Sequence, residues 1–167
     1  DDNKNNDTIK STVQNDTIPY EQTFDSLITI TGYLSVNNNT QSGGVSLEQS
    51  QCKSSPNSLC LNNGSNDNGS TLMATLPPIY SNMTNKWVSF DYYFRQTSDS
   101  LIVGVMKELP DTSLFIPLDT VVPESYKSWV AQKALLPDTI KKPFFVTFKH
   151  TSHDAFSEIF IDNINIS

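Results

Sequence analysis

Basic residues are scarce in this chain: 11 Lys and Arg stand against 18 Asp and Glu over 167 residues, a formal net charge of −7. Nucleic-acid binding rests on cations that displace counterions from phosphates, so this balance argues against such a partner. Long apolar runs are missing too. None approaches the ~20 residues that a membrane-crossing helix needs, and no transmembrane segment is expected. Cysteine is limited to Cys52 and Cys60. Without a CxxC spacing they make no zinc site. In an exported chain the pair can close a small disulfide loop or stay free, and spacing leaves both open. Only two histidines occur, His150 and His153, in "KHTSHDAFSE". With Asp154 and Glu158 they form a candidate transition-metal pair; a polar loop between the last two strands is the simpler reading. Paired carboxylates for glycoside hydrolysis are lacking, since Asp91 stands without a second acid, and no spacing suggests a Ser-His-Asp arrangement. The chain reads as non-enzymatic.

What is present is short and β-like. Residues 1–18 are polar without periodicity and read as a flexible N-terminal tether; residues 19–167 read as a single domain. "YEQTFDSLITI" suits a strand, "NNNTQSGG" (37–44) a loop, "SLCL" a short strand and "NNGSNDNGS" a turn-rich connection. "WVSFDYYF" (87–94) alternates cleanly: Val88, Phe90, Tyr92 and Phe94 form the more apolar stripe and are assigned to the core. Trp87, Ser89, Asp91 and Tyr93 then face outward. "LIVGVM" follows after a polar turn, with the spacing of a hairpin partner buried on both faces. "SLFIPLDTV", "SWVAQKALL", "PFFVTFKH" and "EIFIDNINI" are further short strands. No sustained helical period with caps appears, and nine prolines discourage long helices. The expected fold is an all-β, antiparallel two-sheet β-sandwich of the jelly-roll kind.

The order of these segments carries a resemblance. "TFDSL", "SPNSLCLNNGS", "ATLPPI", "WVSFDYYF", "LIVGVM", "SLFIPLDTVVP", Trp129, "FFVTFKH" and "IFIDNINI" together resemble the MAM-like jelly-roll domains of bacterial surface proteins. That group includes cleaved-adhesin and choice-of-anchor domains. The likeness spans roughly residues 19–167. It departs in two places: "LITITGYLS" lacks the Trp common after the opening Phe-acid pair, and Asp25 stands where many members have Glu.

The resemblance implies that Asp25 and Asp162 meet where the first strand joins the last and hold a calcium ion with backbone carbonyls. The alternative is that Asp162 accepts backbone N–H bonds at a bulge or turn. It also implies a glycan or an extracellular host or matrix protein as partner. A sugar would stack on Trp87, Tyr93, Tyr126 or Trp129, with Asp91 and Arg95 addressing its hydroxyls. An exported adhesion or binding module at the cell surface is the expectation, outer-membrane or periplasmic, with a structural spacer as the alternative and a glycan hydrolase as a remote one. The polar, Asp-led start resembles the tether of a lipoprotein whose lipid anchor lies upstream of Asp1.

Overall fold

The computed structural model describes residues 18–167 apart from 31–33, 39, 41, 65–70, 82–83, 97–99, 110, 124–126, 141 and 152–155. The tether therefore lies outside the described residues, as do Tyr126 and His153. Among the described residues eleven short strands follow one another: β1 (Tyr20–Gln22), β2 (Ser35–Asn38), β3 (Gly44–Glu48), β4 (Ser58–Asn62), β5 (Thr71–Thr75), β6 (Trp87–Phe94), β7 (Ser100–Met106), β8 (Ile116–Val121), β9 (Val130–Leu135), β10 (Phe145–Thr151) and β11 (Glu158–Ile166). They form two antiparallel sheets. One runs β3-β4-β11-β6-β9 with β1 added beside β11, the other β2-β5-β10-β7-β8. This is the expected jelly-roll sandwich.

The core lies between the sheets and is built by strand alternation. Val88, Phe90, Tyr92 and Phe94 are all buried, as their stripe implied, and meet Leu101, Val103, Val105, Val146 and Phe148 from the facing sheet. Phe90 meets Phe148 edge-on with ring centroids 5.0 Å apart, the geometry that aromatic quadrupoles prefer. At the open side, Gln132 Nε2 on β9 donates to Asp119 Oδ2 on β8 at 2.6 Å and ties the two sheet edges together.

Four expectations need correction. β6 and β7 do not pair: β6 lies between β11 and β9, β7 between β10 and β8, so the link between them crosses from one sheet to the other. Local spacing matches a hairpin, but the edges of β6 are taken by β9 and β11, and those of β7 by β10 and the next strand, β8. "YEQTFDSLITI" supplies only the three-residue β1, because Phe24 adopts a left-handed backbone (φ 63°) that breaks the strand. Asn37 and Asn38, assigned to a loop, belong to β2, which pairs with β5 in the register Val36↔Ala74. His150 is not in a loop either. It sits in β10, fully buried, with Nε2 2.9 Å from Ser157 Oγ.

The first and last strands do lie side by side, with Tyr20 opposite Ile166. In β11, Ile159 and Ile161 point inward, and so do Ile164 and Ile166, three residues on rather than two. The pairing with β6 shifts register between Asp162 and Asn165, and Asn163 takes φ 50°. One extra residue in a strand makes a β-bulge, and Asn is among the few residues that tolerate this backbone. The bulge keeps all four isoleucines in the core while Asp162 lies on the opposite face.

Candidate functional site

The outer face of the β3-β4-β11-β6-β9 sheet carries most of the polar and aromatic side chains singled out from the sequence. Across β6 the register sets Trp87 opposite Leu135, Ser89 opposite Lys133 and Asp91 opposite Ala131 on β9. On the other side it sets Tyr93 opposite Phe160 and Asp91 opposite Asp162 on β11. Directly opposed residues share a face, so these side chains form one surface.

Its centre is aromatic. The half-buried Tyr93 ring lies 5.7 Å from Trp129, with a tilt of 52°, and 5.8 Å from Phe160, edge-on. The indole nitrogen of Trp129 is buried and has no acceptor among the described residues. Arg95 lies over the Phe160 ring, 5.3 Å from its centroid, and forms an ion pair with Glu158. Asn62 Nδ2 donates to the same Glu158 at 2.8 Å, which fixes the guanidinium in place. Next along β6, Asp91 Oδ2 accepts from Asn163 Nδ2 at 2.9 Å. Tyr93, Trp129, Arg95 and Asp91 thus come together as a cluster.

Trp87 does not join them. Six residues along an extended strand separate it from Tyr93 by roughly 20 Å, and Lys133 Nζ covers its ring at 4.7 Å from the centroid. Phe160, Asn62 and Asn163 were not singled out from the sequence, and Glu158 only as a companion of the two histidines. Phe160 was legible, since it lies between two inward isoleucines and must face outward. Asn163 enters through the bulge, which strict alternation does not anticipate.

Asp162 is fully buried although it lies on the outer face, because the segment between β3 and β4 crosses over it. Its Oδ2 accepts from the backbone N–H of Lys53 and Ser54 at 2.9 and 2.8 Å, and its Oδ1 from Asn163 N–H at 2.8 Å. Ser54 Oγ is shared between both oxygens, at 3.1 and 3.2 Å. Burial pushes the carboxyl up from its ordinary value, and the bonds from Ser54, Asn163 and Lys53 offset part of that. Asp25 reaches the same segment: its Oδ1 accepts from Asn57 N–H at 3.3 Å. The bulge-and-turn alternative for Asp162 describes this geometry. A calcium ion bridging the two acids would have to compete for the Asp162 oxygens with the four donors that already face them.

Cys52 and Cys60 are both free thiols. Cys60 sits on β4 beneath this surface, and burial, followed by the charges of Glu158 and Glu48, pushes its thiol up. A thiol reagent is expected to modify Cys52 in the folded protein and Cys60 only after unfolding. The unfolded chain loses the Cys60 proton above about pH 8.5 while the folded one keeps it, so stability falls as pH rises beyond that value. Denaturant unfolding of wild type and Cys60→Ala at pH 8 and pH 10 measures this. Wild type is expected to lose about 1–2 kcal/mol more than the variant.

No family model and no curated protein matches the sequence. Solved structures do. The K2 cleaved adhesin domain of Lys-gingipain aligns with a TM-score of 0.71 at 14% identity, over 89% of this chain and 98% of that one. The K3 cleaved adhesin domain of Lys-gingipain from Porphyromonas gingivalis W83 aligns with 0.70 at 14%, over 89% and 96%. The CBM22-1 xylan-binding domain of Xyn10C from Paenibacillus barcinonensis aligns with 0.58 at 12%, over 88% and 91%. The chain shares their fold. The cleaved-adhesin part of the resemblance therefore agrees with the structural neighbours. At these identities the likeness carries the β-sandwich architecture and no site residue. Among the described residues, no helix is long and apolar enough to cross a membrane.

Proposed function

We propose that this chain is a non-catalytic glycan-binding module of an exported bacterial surface protein. The observation that carries the reading is the tilted Tyr93–Trp129 pair on the outer sheet face, with polar groups held rigidly beside it. A sugar presents an apolar face that stacks on such rings, and hydroxyls that bond to oriented donors and acceptors. The Arg95 guanidinium paired with Glu158 and the Asp91–Asn163 pair supply those groups. The neighbouring folds, adhesin domains and a xylan-binding domain, support a binding module. An extracellular protein ligand would use the same aromatic centre.

A glycan array, followed by calorimetry on the best hit, tests the proposal. Tyr93→Ala and Trp129→Ala are each expected to weaken binding by about 2 kcal/mol, roughly thirtyfold, as buried aromatic anchors do. Trp87→Ala is expected to leave affinity within a factor of about three. Silence across the array and across a panel of matrix proteins would favour the spacer reading instead. Export and a lipid anchor upstream of the polar segment belong to the same proposal. Surface labelling of intact cells tests the first, and fatty-acid incorporation tests the second.

A further inference from the structure

The place where the turn after β1 and the last strand reach the segment before β4 can be followed oxygen by oxygen. Asp162 carries four donors, from Lys53 N, Ser54 N, Ser54 Oγ and Asn163 N. Asp25 Oδ1 carries Asn57 N. The carbonyl of Phe24 accepts Leu27 N at 3.1 Å and Asn57 Nδ2 at 3.3 Å, and the carbonyl of Leu27 accepts Asn57 Nδ2 at 3.1 Å. Asn57 is thus surrounded by a carboxylate and two carbonyls, all oxygen acceptors, and it meets them with its backbone N–H and both amide hydrogens. Asn57 itself is 7% exposed. A hard cation would call for the same ligand chemistry of carboxylate and carbonyl oxygens.

We infer that the Asn57 amide takes the part of a cation here, and that this clasp is independent of calcium. Two positive centres cannot share one set of lone pairs. The amide gathers the Phe24–Leu27 turn, while Asp162 gathers Lys53, Ser54 and Asn163. Both acids are thereby anchored to the single segment 49–57 that precedes β4. This assignment stands apart from the glycan reading.

Thermal unfolding of the full chain in chelator and in millimolar calcium, with calorimetric titration of calcium alone, tests it. Wild type is expected to melt within about 1 °C in the two conditions, because a ligand that does not bind the folded state does not shift its midpoint. Asn57→Asp exchanges the donor amide for a third oxygen group. It is expected to melt about 5 °C or more below wild type in chelator and to recover most of that loss in calcium. Asn57→Ala is expected to be lowered in both and to respond to neither. A rise of several degrees for wild type in calcium, or saturable calcium heat, overturns the inference. So does an Asn57→Asp protein that calcium leaves unchanged. If Asn57→Asp does not fold, the wild-type titration alone decides.

Discussion

Asp162→Ala lowers the unfolding midpoint by about 5–12 °C, the equivalent of about 2–4 kcal/mol in a domain of this size. The loss is large because one carboxylate serves four donors from three residues in two separate parts of the chain. Lys53 and Ser54 lie more than a hundred residues away in sequence, and Asn163 N–H belongs to the bulge itself. Without the carboxylate these N–H groups face a cavity, and a donor left without an acceptor costs more than an average hydrogen bond contributes. Asp162→Asn does not repair the site. It keeps the shape and one acceptor oxygen, but turns its amide hydrogens toward donors, and a loss approaching that of the alanine is expected. Differential scanning calorimetry of the three proteins measures both. An alanine variant that melts with wild type would remove the clasp from the account of stability.

Gly104→Ala is expected to cost about 2–3 kcal/mol for the opposite reason, an added atom. A Cβ at Gly104 would lie 2.5 Å from the Ile116 carbonyl oxygen and 2.5 Å from the Phe115 ring. The register between β7 and β8 slips at this point, between Val103 and Gly104, and Phe115 fills the space over the glycine. A flexible side chain could swing aside, but a backbone carbonyl in a paired strand moves only with its strand. The site is in the sheet opposite the Tyr93–Trp129 surface. Glycan affinity measured well below the midpoint is therefore expected to stay at the wild-type value. Chemical denaturation combined with the binding assay separates the two effects. An unchanged midpoint would mean that β8 gives way freely.

Wherever one side chain period settled the question, the reading of residues was enough. The alternation in "WVSFDYYF" set the core stripe and the outward stripe, because a strand has only two faces and apolar area drives one of them inward. The many short strands, nine prolines and the lack of helical period led to an antiparallel sandwich on the same grounds. Tertiary structure decided everything that depends on strands meeting from afar. It separated β6 from β7, since hydrogen-bonding edges are filled by whichever strands the whole fold brings alongside. It buried His150, and it placed Lys133 over the Trp87 ring. It also completed the surface with Phe160, Glu158 and Asn62 from β11 and β4. Asp162 shows the division most plainly. That an acid stands among isoleucines is local information, but what it binds is not: its partners Lys53 and Ser54 reach it only once the strands between them have folded.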